Sequence, residues 1–281
     1  MLPPPPPPPP APPPPPIASV ETKVPEPPPP PPEPPQPAVT LELGEASPTP
    51  PKPTPVVRIT APARGATIDP KKTADFAIKL DVKNWKTAPS DAHVHLILDN
   101  RPYKPIYDTK SPIKMKELLG NDELTSGRHT LVAFPSRANH ESVKTPGAVA
   151  IVDFWVGKKE KVKVDVTKQP RLIYSRPKGE YKGDMATRVL VDFQLLNVEL
   201  AEGKSRVHIS VEGPGIDGSL SKTTSSFGAP YYLEHLRKGD YTLKLELVDQ
   251  DDKPVDGDWN STTRTIHTEP EDHESAAPHA H

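Results

Sequence analysis

His93-x-His95, with His140 further along, is the constellation in this 281-residue chain whose residue types could do chemistry. Imidazole nitrogens suit zinc and copper, and two histidines at i and i+2 of a strand project from the same face. The segment carrying the pair reads His93-Val-His-Leu-Ile-Leu-Asp99. Val94, Leu96 and Leu98 then form an inward row, and His93, His95, Ile97 and Asp99 share the opposite face. The candidate metal set is therefore His93, His95 and His140, with copper or zinc as the ion. His129 is expected to point inward with Leu131 and Ala133, away from this pair. His273, His279 and His281 fall in a polar tail and read as solvated.

Other chemistries find little support. The chain has no cysteine, which removes disulfides, thiolate metal sites and cysteine nucleophiles. His-Glu-x-x-His, a phosphate-cradling loop and Gly-x-Ser-x-Gly are all missing. Gly213-Pro-Gly-Ile-Asp-Gly218 opens no helix and reads as a turn-rich loop. Asp249, Asp251, Asp252 and Asp256 could hold calcium weakly, although a solvated turn is simpler. No carboxylate pair is placed in a shared cleft by sequence, so the expectation is a non-enzymatic protein.

The elements that must position the histidines follow from composition. Of 43 prolines, 28 lie within residues 1–55, among few large apolar side chains. That segment cannot bury enough surface to offset its ordering entropy, and it reads as an unfolded stalk. Its Pro3–Pro10, Pro12–Pro16 and Pro27–Pro32 runs favour polyproline II, so 55 residues would reach roughly 170 Å. A stiff spacer is the structural reading; a ligand for aromatic-grooved modules is its rival. Net charge is −2 with both signs interspersed, which gives no footprint for nucleic acid. No apolar stretch is long enough to cross a bilayer. Met1-Leu2 leads straight into proline, without the charged and apolar regions of a signal peptide. A stalk ahead of modules nonetheless points to export to a bacterial periplasm or cell envelope, with a signal or lipid anchor lost upstream.

Residues 56–268 repeat themselves. Phe76-Ala-Ile-Lys-Leu-Asp-Val-Lys-Asn84 matches Val189-Leu-Val-Asp-Phe-Gln-Leu-Leu-Asn197 at an offset of 113, which also places His93 on Arg206 and His95 on His208. Gly127-Arg-His-Thr-Leu131 matches Gly239-Asp-Tyr-Thr-Leu243 at an offset of 112, which places His140 on Asp252. The expected organisation is a stalk over 1–55, modules over 56–157 and 171–268, a linker over 158–170 and a polar tail over 269–281. A short strand is considered at Val162–Val166. Recurrence of His95 as His208 also fits a packing or hydrogen-bonding role that needs no metal.

Each module shows period-2 alternation broken by Gly, Pro, Asp and Asn. Strands are expected at Val56–Thr60, Asp75–Val82, His93–Leu98, Ile113–Leu118, Arg128–Phe134 and Val149–Val156. In the second module they fall at Arg171–Tyr174, Arg188–Leu196, Arg206–Glu212, Tyr231–Leu236, Asp240–Val248 and Thr262–Thr268. Lys114–Leu119 also reads as a helical turn. This is the pattern of tandem all-β, Ig-like antiparallel β-sandwiches. Gly239-Asp-Tyr241 resembles a tyrosine corner, with His129 as its partner in the first module.

Both modules resemble bacterial extracytoplasmic Ig-like domains. The first also resembles an uncharacterised bacterial family, through His93-x-His95-Leu-x-Leu-Asp99, Gly127-x-His129-Thr-Leu131 and Pro135-Ser-Arg137-x-x-His140-Glu-Ser-x-Lys144. The resemblance implies the sandwich fold and export, and no activity.

If the third, sixth and seventh strands lie side by side, the outer face of the first module carries His93, His95, Ile97, Val132, Phe134, Ile151 and Trp155. Its twin carries Arg206, His208, Ser210, Lys244, Glu246, Thr263 and His267. An apolar outer sheet must be covered. Either the second module, the connecting segment or the loop 135–147 covers it, or it binds a protein or cell-wall partner. The expected function is accordingly an envelope-associated binding or structural protein using that face, with a His93/His95 metal module as the alternative.

Overall fold

The computed structural model describes Met1, Pro3 and residues 36–161 and 165–271. Apart from Pro3, the polyproline tracts lie outside those residues, as do residues 162–164 and the three tail histidines. The described residues from Pro37 onward belong to one compact unit.

Strand β1 (Thr40–Leu43) precedes the first sandwich, which contains β2 (Val56–Ala61), β3 (Thr67–Ile68), β4 (Ala77–Lys83), β5 (His93–Leu98), β6 (Lys104–Ile106), β7 (Ile113–Lys114), β8 (Gly127–Ser136) and β9 (Ala150–Val156). The second contains β10 (Arg171–Arg176), β11 (Gly179–Lys182), β12 (Arg188–Leu196), β13 (Arg206–Glu212), β14 (Leu220–Thr224), β15 (Tyr231–Glu234), β16 (Gly239–Val248) and β17 (Ser261–Glu269). The chain is all-β, and both sandwiches share one strand order. Sheet β2-β4-β7 faces β3-β9-β8-β5-β6 in the first, and β10-β12-β15, extended by β1, faces β11-β17-β16-β13-β14 in the second.

Alternation explains the cores. Val94, Leu96 and Leu98 of β5 meet Leu131 and Ala133 of β8, and Ile78 of β4, inside the first sandwich. Val207, Ile209 and Val211 of β13 meet Tyr241, Leu243, Leu245 and Leu247 of β16 in the second. The expected strand at Ile113–Leu118 is limited to β7, followed by the single turn α1 (Lys116–Leu119). Met115 and Leu119, four apart, then both enter the core. Val166–Lys168 is a 3-10 turn capped by Asp165 rather than part of a strand.

The leading segment is not unstructured up to residue 55. β1 pairs antiparallel with β15, matching Leu41 to Leu233, and Val39 and Leu41 are buried in the second sandwich. Four alternating residues among prolines suffice because the edge of β15 supplies hydrogen-bonding groups and the sandwich supplies an apolar floor. Beyond β1 the segment touches the first sandwich: Ser47 Oγ donates to Glu141 (2.5 Å) and Arg137 donates to the Pro48 carbonyl (2.6 Å).

The outer face of the first sandwich forms as its sequence requires. Ladder pairing sets His95 opposite Phe134 and Ile97 opposite Val132, and Val132 opposite Ile151. It does not meet solvent. Ile97, Val132, Phe134 and Tyr103 pack against Ile173 and Trp259 of the second sandwich, with Leu196 and Ile151 at the margin. Burial of each such side chain contributes on the order of 1.5–3 kcal/mol. Strand β10 is thus covered on both faces, with Leu172 and Tyr174 in its own core and Ile173 against the neighbour.

Polar groups close the joint. Lys144 pairs with Asp192 at 2.5 Å, both side chains almost wholly buried. Asp192 also accepts from Ser142 N, and Gln194 donates to the Val143 carbonyl.

Candidate metal centre

His93 and His95 stand on β5, and His140 on the loop between β8 and β9. That loop folds tightly: Arg137 N donates to the Glu141 carbonyl and His140 N to the Arg137 carbonyl, both at 2.9 Å. His140 takes φ 68°, an uncommon conformation for a residue with a Cβ, which turns its ring back over the sheet.

The three rings converge. His93 Nε2 lies 3.0 Å from His95 Nε2 and 3.0 Å from His140 Nδ1. One potential ligand atom from each residue falls within 4.8 Å of the others. His93 and His95 are wholly buried. His93 Nδ1 donates to the Asp91 carbonyl at 2.7 Å, so its Nε2 carries the lone pair. His95 Nδ1 is 3.1 Å from Ser175 Oγ of β10, and the Tyr103 hydroxyl is 3.2 Å from His140 Nδ1. Tyr103 stacks flat on His95, with centroids 3.4 Å apart.

The rings are held neutral. Burial pushes the His95 imidazole well below its ordinary value, helped by the other two rings and by Arg176 and Lys178. Burial, then Arg176, His93 and Lys178, lowers His140 to about 3. Burial also lowers His93, against the pull of the Asp91 carbonyl. Lys178 donates to the Tyr103 carbonyl, and burial beside Arg176 and Arg264 lowers it to about 8.

Neutral imidazoles are what a transition metal requires. Without an ion, His95 and His140 both direct a nitrogen at the one lone pair of His93 Nε2. That lone pair has one in-plane direction to offer. His93, His95 and His140 would be relieved of this competition by an ion taking a lone pair from each ring. The hydrogen bonds at His93 Nδ1 and His95 Nδ1 are the kind that orient ligating imidazoles.

The equivalent positions of the second sandwich hold different chemistry. Arg206 pairs with Asp252 at 2.8 Å, and His208 Nδ1 contacts Thr223 Oγ1 at 3.0 Å on an exposed surface. Asp252 has φ 60°, close to that of His140, so the backbone is alike while the side chains are not. The aspartate run is a turn, in which Asp249 accepts from Asp251 N and Lys253 N.

Of the expected outer-face residues, His93, His95, Ile97, Val132, Phe134 and Trp155 are buried, and Ile151 is half-buried. As a docking surface for a separate partner this set is corrected: Ile173 and Trp259 of the second sandwich pack on Ile97, Val132 and Phe134 at its centre. Asp99 has left the histidine face. It turns at φ 48° and accepts from Thr130 N, while His129 Nδ1 lies 2.6 Å from its carboxylate. His129 Nε2 donates to the Thr125 carbonyl at 2.8 Å. Tyr241 makes the corresponding corner, accepting from Arg237 N and donating to the Pro214 carbonyl. The glycine loop serves that corner, since a Cβ at Gly213 would stand 2.4 Å from the Tyr241 ring. Asp91, Tyr103, Ser175, Arg176 and Lys178 complete the candidate centre without any signal in sequence, because three of them come from the other sandwich.

No protein-family model matches the chain, and no curated protein matches it. Among solved structures it is similar to the fibronectin(III)-like modules of Clostridium thermocellum CbhA, with 16% identity, 80% of this chain and 99% of that chain covered, and a TM-score of 0.28. The chicken interferon gamma receptor alpha chain matches at 9% identity over 75% of this chain and 98% of that one, TM-score 0.25. Parabacteroides merdae beta-glucuronidase matches at 11% identity over 76% of this chain but only 24% of its own, TM-score 0.23. At these values none of the three bears on function.

Proposed function

We propose that the chain is a non-enzymatic metal-binding protein, in which His93 Nε2, His95 Nε2 and His140 Nδ1 hold one transition-metal ion beneath the second sandwich. The convergence of three neutral ring nitrogens, two of their separations 3.0 Å and all within 4.8 Å, carries this reading. Two ligands on one ion about 2.0 Å away stand roughly 3–4 Å apart, which the two separations at His93 Nε2 match. The first sandwich supplies the ligands, and the second supplies cover and the Ser175 contact. The two sandwiches are read as copies of one unit, with the ligand set in the first copy alone. The proline-rich leader is read, from composition, as a spacer that presents the pair in a bacterial periplasm or envelope. No described helix is long and apolar enough to cross a membrane.

Competitive titration against a chromophoric chelator tests this. Wild type should bind one ion per chain, and the His93→Ala/His95→Ala variant should lose that binding. Equal affinity in the two proteins would falsify the reading.

A further inference from the structure

The surroundings of the histidines narrow the choice of ion. The donors are three neutral imidazoles, and among the described residues no carboxylate joins them in the cluster. The charges that bear on all three rings are cationic, Arg176 and Lys178. Arg176 donates to the Tyr181 hydroxyl and Lys178 to the Tyr103 carbonyl, and among the described residues neither forms an ion pair. The Arg176 guanidinium carbon and Lys178 Nζ stand 5.3 and 4.1 Å from the centroid of the Tyr103 ring, which itself lies against His95. Uncompensated positive charge therefore sits one aromatic ring away from the candidate centre.

We propose that the centre takes copper as the monovalent ion, Cu(I), and that Arg176 and Lys178 of the second sandwich select it against divalent ions. This rests on the three-histidine reading above. A divalent ion among neutral ligands leaves two charges to be neutralised in a buried space already facing two cations; a monovalent ion leaves one. Geometry agrees. Nitrogens 3.0 Å apart on an ion about 2.0 Å away subtend about 97°, and two such separations meet at His93 Nε2. The His95 and His140 nitrogens, within 4.8 Å of each other, need close only to about 4 Å for a three-coordinate ion to engage all three rings. Structural zinc takes four ligands in a tetrahedron.

The test uses the full chain, freed of metal. Cu(I) affinity is measured anaerobically, with ascorbate, against bicinchoninate, and Zn(II) affinity against a chromophoric chelator. Wild type should hold one Cu(I) at least about a thousandfold more tightly than Zn(II). Arg176→Gln and Lys178→Gln, made singly and together, should narrow that ratio by about 10–100-fold, chiefly by strengthening Zn(II). Circular dichroism checks their fold, and the single variants keep the question open to test should the pair fail to fold. Zinc binding as tight as copper, still dependent on His93 and His95, overturns the monovalent assignment and leaves the three-histidine site standing. An unchanged ratio in folded charge variants overturns the role of the second sandwich. A tetragonal Cu(II) resonance from one full equivalent of bound copper also overturns Cu(I). Loss of histidine-dependent binding for both metals overturns the site itself.

Discussion

His95 Nδ1 and Ser175 Oγ, 3.1 Å apart and both buried, tie the candidate metal centre of one sandwich to the first strand of the other. Ser175→Ala removes that partner. Metal affinity should fall by about 10–100-fold, as for other contacts that orient ligating imidazoles. Metal-free stability should fall by about 1–3 kcal/mol, the usual cost of a buried polar group left alone. Chelator competition and urea unfolding read the two effects separately.

The Lys144–Asp192 pair is a buried ion pair in the joint. Asp192→Ala leaves Lys144 charged in a buried place and strips Ser142 N of its acceptor. A loss of about 3–5 kcal/mol is expected. The double variant Lys144→Met/Asp192→Leu should recover much of it. Urea unfolding of all four proteins gives the coupling as a double-mutant cycle.

Leu41 tests the reach of the folded part. It is 1% exposed in the core of the second sandwich. Leu41→Ala should destabilise by about 2–5 kcal/mol, which thermal or urea unfolding would show. A change near zero would mean that the leader ends no earlier than residue 55.

His129 gives the chain a pH dependence of definite sign. Burial opposes its protonation, but the Asp99 carboxylate and the Thr125 carbonyl outweigh burial and raise its pKa above 6.5. The folded form therefore holds the proton to higher pH than the unfolded chain. The stabilisation is fully present below the unfolded value of about 6.5 and is lost as pH rises through the folded value. His129→Tyr copies the Tyr241 corner and removes the titration. The stability advantage of wild type over His129→Tyr should shrink between about pH 5.5 and about pH 8.5, a range that spans the ordinary histidine value. A difference that is flat across that range would sink the assignment.

Phe134→Glu bears on the joint. Phe134 is wholly buried against the second sandwich. The substitution should unfold or separate the pair rather than abolish capture of an outside partner. Loss of near-ultraviolet dichroism and faster proteolysis between the sandwiches are the expected signs.

Much of the fold was legible because alternation is a local property. The expectation for β5 coincides with the observed strand, and β8 and β16 begin at Gly127 and Gly239, where the repeat aligned. His93 and His95 were correctly set opposite Val94, Leu96 and Leu98 for the same reason. The joint was less legible. Arg171, Ser175, Asp192 and Gln194 look like solvent-facing residues in sequence, yet all are buried. Only docking reveals that they face another sheet. The brief strand β1 was hidden by its proline context, and its stability comes from a partner about 190 residues away.

One mechanical consequence follows from β1. A pull on the leader reaches the edge of the second sandwich before it reaches the first, since Thr40–Leu43 is annealed to β15. The next anchors, Ser47 and Pro48, grip Glu141 and Arg137 on either side of His140. Tension would peel this seam open in sequence, so the loop carrying the third ligand would feel a tug on the tether early, while both hydrophobic interiors were still intact.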